Sequence, residues 1–368
     1  GSHCILALGS IPNTEGLGRL GRGVGAGGGQ VIATKADGTE EVLAADSVLI
    51  ATGARPRVLA SAQPDGERIL TWEQVYDLDE LPEHMIVVGS GVTGAEFASA
   101  YLALGCQVTL VSSRDRVLPG EDADAAEVLQ DVLERRGMNI LGHSRMASVS
   151  RVDDTVTVTL SDGRTVTGSH CILALGSIPN TEGLGLEDAG VQLDEGGFIV
   201  IDKVSRTTVP GVYAAGDCTG GFMLASVAAM AGRVAMRHFL GDAVQPVDLK
   251  EISSNVFTSP EIATVGWSEA ALAHGEIEAD VIRLDLKGNP RAKMQGIVDG
   301  FVKLIARRGS GVVVGGVVVG PRASELIHPI SLAVKANLTV DQLANTFTVY
   351  PSLSGSTAEA ARRLHRVD

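Results

Sequence analysis

Residues 84–113 read HMIVVGSGVTGAEFASAYLALGCQVTLVSS, and the fold turns on them. His84 to Val88 is a short, β-rich apolar run. Gly89-Ser90-Gly91-Val92-Thr93-Gly94 follows at once, then a helix-patterned segment to Leu104, a stop at Gly105 and a second apolar run, Val108 to Val111. Strand, glycine turn, helix and strand in this order predict a βαβ unit that binds a dinucleotide. Gly89 allows the tight turn, Gly91 lets backbone approach a pyrophosphate, and Gly94 lets the helix pack closely on the strand. The phosphates would rest on free N–H groups at the positive helix end. Val87 and Val88 at the strand end, with Gly89, Ser90, Gly91, Val92, Thr93 and Gly94, are the candidate contacts. The competing reading is an ordinary glycine-rich turn from strand to helix.

The second strand of such a unit ends beside the adenosine ribose. An Asp or Glu there favours NAD, and a nearby Arg accommodates a 2′-phosphate. Here the chain runs Val111-Ser112-Ser113-Arg114-Asp115-Arg116: no acid stands at Ser112, and two cations follow. This points to NADPH, or to use of both NADPH and NADH. The alternative is that Arg114 and Arg116 are solvated loop charges.

The 368 residues suggest two or three domains, and 45% hydrophobic content is ample for sizeable cores. Forty-five glycines against 4% aromatic residues suit an α/β protein with many tight turns. A formal charge of −14 argues against nucleic acid or an anionic membrane as partner. No run of about 18 apolar residues is present, so no membrane span is expected. Four scattered cysteines without a paired motif suit a reducing compartment, and a cytoplasmic location is expected. No cluster with metal-ligand spacing stands out.

Residues 1–18 recur letter for letter at 168–185, and a glycine-rich tract follows from Arg19 to Gly29, so 1–29 reads as an anomalous segment. From Gln30 the pattern becomes a hairpin, Val31–Thr34 and Glu41–Leu43 around Asp37-Gly38, then a buried strand from Ser47 that leaves through Ala51-Thr52-Gly53. Such a turn can bring backbone close to a ligand, or it can be a plain strand end. Residues 64–82 read as a connecting loop with a short helix. After Ser113 come an acidic helix, Asp122 to Arg136, and hairpin material up to Val166. Residues 170–181 form another buried strand ending at Gly176 and a Pro-Asn turn. Val212 to Ala215 is an apolar strand that stops at Gly216-Asp217, with a helix from Leu224 to Leu240. Asp217 can accept hydrogen bonds from ligand hydroxyls, or it can serve as an N-cap.

Four segments in this order carry a resemblance: Ala51-Thr52-Gly53, the Gly89 to Gly94 loop, Ala174 to Thr181, and Gly211 to Asp217. They resemble the FAD-dependent pyridine nucleotide-disulfide oxidoreductases, the lipoamide dehydrogenase-like flavoproteins, over essentially all of residues 30–368. The stretches 61–72 and 349–363 resemble the actinobacterial branch whose members reduce quinones with NAD(P)H. The resemblance implies an α/β fold in which a Rossmann-like NAD(P)-binding domain (83–182) is inserted in a truncated FAD-binding domain (30–82 and 183–248). An α+β dimerisation domain (249–368) follows and would make a homodimer. It implies FAD contacts at Ala51, Thr52, Gly53 and Asp217. Gly176 would line the nicotinamide cleft with Gly89, Gly91 and Gly94. Glu96 resembles the glutamate that approaches the nicotinamide and flavin rings; alternatively it is a solvated first-turn carboxylate.

Two departures from that family shape the expected chemistry. Disulfide reductases place a His before a Pro in the C-terminal domain, with a Glu a few residues on, as acid–base for a dithiol; here Tyr350 and Gly355 occupy those places. A phenol with a pKa near about 10 does not exchange protons readily with a thiol at neutral pH. The family's opening FAD-binding segment and dithiol helix are also missing. The expected function is therefore a diaphorase-type NAD(P)H:quinone oxidoreductase, with a quinone or other small electron acceptor as partner. The rivals are a dihydrolipoamide dehydrogenase and an inactive nucleotide-binding and dimerisation remnant.

Overall fold

The computed structural model describes residues 4–7, 19–21, 29–34 and 37–365, which divide into two compact units. The described residues up to Arg57 join Gly176–Asp248 in the first; Val58–Leu175 joins Leu249–Asp368 in the second. The chain leaves the first unit, builds part of the second, returns, and leaves again. This is the inserted arrangement that the sequence suggests.

In the first unit, Val48–Ala51 is the centre of a three-stranded parallel sheet, flanked by Cys4–Ala7 and Val212–Ala214. Val48, Leu49 and Ile50 are all buried, as a parallel strand covered on both faces requires. The expected hairpin forms from Gly29–Thr34 and Glu40–Ala45, and Arg19–Gly21 adds a third strand to it. Helix Ala225–Phe239 packs Ala231 and Ala235 on Leu49 and Tyr213. Of the duplicated segment 1–18, residues 4–7 are described; the remainder, and the glycine run at 25–28, lie outside the described residues. The second copy of the same letters supplies His170–Leu173 to a different sheet in the other unit.

That sheet is the dinucleotide-binding one. Its five parallel strands run Asn139–Leu141, Gln107–Val111, His84–Val88, His170–Leu173, Ile69–Thr71. From His84–Val88 the chain winds outward through two strands and comes back to place His170–Leu173 on the opposite side. The strand order therefore reverses between His84–Val88 and His170–Leu173, and the glycine loop leaves the sheet there. Ligands of open α/β sheets bind at such a reversal. Ile69–Thr71 corrects the sequence reading of 64–82 as a loop. Three residues are too few to show a period, and this strand exists only through its pairing with Cys171–Leu173, far along the chain. The compact unit accordingly draws on residues from Val58 onward, ahead of residue 83.

The C-terminal part is a five-stranded antiparallel sheet, Ser253–Val256, Glu261–Gly266, Val313–Gly320, Phe301–Arg307, Ala279–Asp285, with helices His328–Lys335 and Gly355–Leu364 packed on it. One core runs through both parts of this unit: Leu70, Met85, Leu110 and Leu129 pack in the same cluster as Val256, Ile262, Phe301 and Val319. Beside it lies Lys303, 1% exposed. Its Nζ is 2.9 Å from Asp122 Oδ2, 2.8 Å from Asp124 Oδ2 and 2.5 Å from Glu269 Oε2. Burial works against the ammonium charge, but the surrounding carboxylates outweigh it and hold the pKa above the ordinary lysine value. Asp122 is also the N-cap of helix Ala123–Arg135, accepting the Ala125 N–H, so one carboxylate fixes the helix start to the antiparallel sheet.

Replacing Lys303 with Met leaves Asp122 buried without its counter-ion. The expected loss is about 3–5 kcal/mol of unfolding free energy, read from urea denaturation at neutral pH. A loss below about 1 kcal/mol would put this pair in the class of weak surface bridges.

Candidate functional site

Helix Val92–Ala103 begins on Gly91 with no side chain capping it and no acid in its first turn. In the same unit Asp122, Ser268, Asn289 and Thr339 each cap a helix by accepting a first-turn N–H, whereas the helices that start at Ala323, His328 and Gly355 also lack an N-cap side-chain bond. An open, acid-free helix start aims its N–H groups and the positive end of the dipole at an anion. The glycines set the geometry. A Cβ on Gly94 would stand 1.9 Å from Gly89 O, and one on Gly89, at φ 114°, would stand 2.1 Å from Ala174 O. A Cβ on Gly91 would meet nothing within 4 Å. The first two glycines are required by packing alone, whereas at Gly91 the unliganded chain has room for a side chain. Val92 and Thr93 are exposed beside it.

Three expected contacts are corrected. Val87 and Val88 are 0% and 3% exposed and belong to cores on the two sides of the sheet, so neither offers a ligand any side-chain surface. They belong to a central strand covered on both faces. Ser112 is likewise fully buried (0%), its Oγ 2.7 Å from Ser90 Oγ and accepting the Arg114 N–H at 3.0 Å. Arg114 is exposed and Arg116 half-buried, and neither makes an ion pair among the described residues; Arg116 Nε is buried without a partner.

Glu96 is not the solvated first-turn carboxylate of the alternative reading. It lies in the helix's second turn, half-buried, and its Oε1 accepts the Phe257 N–H at 2.7 Å. Burial raises its pKa above the ordinary glutamate value, and the Phe257 N–H opposes this. Ser99 Oγ accepts the Ser259 N–H at 3.1 Å. The helix is thereby strapped to the C-terminal part of its own unit.

The flavin candidates come together in the first unit. Register places Ala214 opposite Ile50, so Ala51-Thr52-Gly53 and Ala215-Gly216-Asp217 leave neighbouring parallel strands at the same end. Thr52 is 2% exposed and its Oγ1 is buried without a partner. Asp217 opens a short 3₁₀ turn rather than capping the long helix, whose N-cap is Leu224, and burial raises its carboxyl pKa. Gly53, at φ 69°, makes the turn, and Asn180 secures it: its N–H donates to Gly53 O and its Nδ2 to Thr52 O, both at 3.0 Å. The sequence reading saw Asn180 only as half of a Pro-Asn turn. Its amide was the available signal, because an exposed-looking loop whose backbone needs partners favours such a side chain. Gly176 belongs to this unit, its carbonyl accepting the Arg57 N–H at 2.9 Å, and the glycine loop to the other. Tyr350 lies in the C-terminal part with 82% of its surface exposed.

Gly91→Ala should fold with wild-type stability and bind NADPH at least about tenfold more weakly, measured by quenching of tryptophan emission. Gly94→Ala should lose stability as well, since backbone must move. The Glu96 shift sets a pH dependence. Its folded pKa lies above the unfolded value, so the ionised form is disfavoured in the fold; stability falls as pH rises through the folded pKa and then levels. Glu96→Gln should flatten that fall in urea midpoints between about pH 4 and 7.

Comparison with known proteins agrees with this geometry. The family model described as pyridine nucleotide-disulphide oxidoreductase matches residues 13–232, and that of the family's dimerisation domain matches residues 252–361. The NAD(P)H dehydrogenase (quinone) of Mycobacterium tuberculosis is 58% identical over 335 residues, covering 91% of this chain and 68% of the relative. A dihydrolipoyl dehydrogenase of Chlorobaculum tepidum is 34% identical over 345 residues, covering 93% of this chain and 73% of the relative. Among solved structures, LpdA of Mycobacterium tuberculosis superposes with a TM-score of 0.91 at 56% identity, covering 95% of this chain and 77% of that one. The flavoprotein disulfide reductase RclA of Escherichia coli, at 24% identity and a TM-score of 0.83, covers 91% and 77% and shares the fold. With matching family models over most of its length and its glycine loop at the strand reversal, the chain belongs to the pyridine nucleotide-disulphide oxidoreductase family.

Proposed function

We propose that the chain is a flavin-dependent NAD(P)H:quinone oxidoreductase of the diaphorase type, acting as a cytoplasmic homodimer through residues 249–368 and without thiol-disulfide exchange. No helix among the described residues is long and apolar enough to cross a membrane. The observation that carries the reading is Tyr350, exposed at the place where the resemblance to dithiol-reducing flavoproteins leads one to expect a histidine. The described cysteines agree with it: Cys106, Cys171 and Cys218 are buried and unpaired, and burial pushes all three thiols up, away from the reactive thiolate. The quinone is taken from the name of the 58% identical relative.

The residues present fit both cofactors. Thr52 Oγ1, buried, and Asp217, half-buried, both without a side-chain partner among the described residues, are groups that a flavin's hydroxyls and ribityl-phosphate region would satisfy. The uncapped N–H groups after Gly91 would hold the pyrophosphate of NAD(P)H, and Arg114 and Arg116 a 2′-phosphate. The chemistry supplied by the bound cofactors is two-electron transfer, hydride from NAD(P)H to FAD and then electrons onward to the quinone. The chain's own part is placement. Its glycine turn admits the phosphates, Asn180 holds the Ala51-Thr52-Gly53 turn in shape, and the Phe257 strap fixes Glu96.

The test is a visible spectrum of the purified chain with FAD, then NADPH, followed by acceptor assays. A flavin band near about 450 nm that bleaches with NADPH, and recovers with a soluble benzoquinone but not with lipoamide, is the expected result. Turnover of dihydrolipoamide would establish the dithiol reading instead. A chain that binds NADPH but no FAD would be a nucleotide-binding and dimerising remnant. Changing Arg114 and Arg116 together to Ala should raise KM for NADPH by about tenfold or more while moving that for NADH far less.

A further inference from the structure

The cations that would receive a 2′-phosphate hang from a buried knot of hydroxyls. Ser112 sits where an acid would grip the ribose in an NAD-binding strand, yet it is 0% exposed and out of any ligand's reach. Its Oγ gathers three pieces of chain. Ser90 Oγ of the glycine loop lies at 2.7 Å, the Arg114 N–H donates to it at 3.0 Å, and the carbonyls of Arg114 and Arg116 lie at 3.2 and 3.5 Å. Ser90 Oγ is in turn 3.4 Å from the Arg116 carbonyl. Backbone bonds close the knot from outside: Ser112 N–H to Leu141 O at 2.9 Å, Ser144 N–H to Ser112 O at 2.7 Å, and His143 N–H to Arg114 O at 2.8 Å. The loop that carries both arginines is thus tied through two serines to the loop that would carry the pyrophosphate.

We propose that Ser112 is a positioning residue for nucleotide choice: held to Ser90, it sets the backbone of 114–116 so that Arg114 and Arg116 meet a 2′-phosphate that Ser112 never touches. The proposal rests on the reading of this loop as an NADPH site. Two long, rotamer-rich side chains bind a phosphate well only if little freedom is left to lose, and anchoring their backbone removes part of that loss beforehand. A 2′-hydroxyl draws little from the cations, so the knot acts on the difference between the two nucleotides. The unpartnered Arg116 Nε is the polar group that such a phosphate would satisfy.

The experiment is titration calorimetry of the whole chain with ADP-ribose 2′-phosphate and with ADP-ribose, for the wild type, Ser112→Ala, Ser90→Ala and the double variant. These probes need neither flavin nor quinone turnover. The wild type should prefer the phosphorylated probe, and each single change should cut that preference about tenfold. The double change should cut it no further, because both serines belong to one knot. A preference that survives Ser112→Ala, an equal loss for both probes, or additive losses overturns the role of Ser112. A wild-type chain with no preference overturns the NADPH reading itself. If Ser112→Ala fails to fold, Ser90→Ala tests the same knot from its more accessible end.

Discussion

The start of helix Val92–Ala103 lies so close to the end of strand His84–Val88 that only backbone fits between them. A Cβ on Gly94 would stand 1.9 Å from Gly89 O, a separation no side chain tolerates. That contact brings the helix's uncapped N–H groups to the same point as the strand reversal of the sheet. Ala174, across the reversal, presses from the other side, since its carbonyl faces Gly89 at the distance where a Cβ on Gly89 would clash. The polar loop of Ser90, Ser112 and the arginines is built outward from this junction. Widen it by one methyl group and the phosphate site, the reading loop and the helix direction all shift together.

Polar groups that find no partner are as informative as those that do. Buried donors and acceptors in proteins are nearly always paired. Against that background, the helix start at Gly91, the Thr52 hydroxyl and the Arg116 Nε stand out among the described residues for polar groups without a side-chain partner. They fall at positions that the sequence motifs single out. Asn255, whose side-chain amide is buried and unpartnered on strand Ser253–Val256, has no such motif around it.

Much of the architecture was legible in the letters, and the reason is periodicity. A parallel strand covered on both faces is a short apolar run, a glycine turn interrupts it at a fixed spacing, and a capped amphipathic helix such as Ala123–Arg135 announces both its start and its buried face. What stayed hidden depends on partners distant in sequence. Ile69–Thr71 is a strand only because Cys171–Leu173 lies beside it. Val87, Val88 and Ser112 sit inside a binding motif, yet face cores rather than ligand, and burial is not written in a motif. Lys303 reads as an ordinary strand residue, although it is one of the most deeply buried side chains of the protein. The letters at 170–173 and their copy near the start make the point in another way: identical apolar runs form parallel strands in different sheets, so the run sets the kind of strand and the context sets its neighbour.

The shared core and the Lys303 cluster also have a thermodynamic side. Because Asp122 caps a helix of the nucleotide-binding part while holding a cation of the antiparallel sheet, neither part can open without exposing a buried charge. The two parts therefore melt as one cooperative body, and a ligand held by the glycine loop stabilises the distant antiparallel sheet by the same free energy as its own site. Amide protons of strand Phe301–Arg307 would thus report a ligand bound at the glycine loop, exchanging more slowly as the loop fills, although no atom of that strand belongs to the loop.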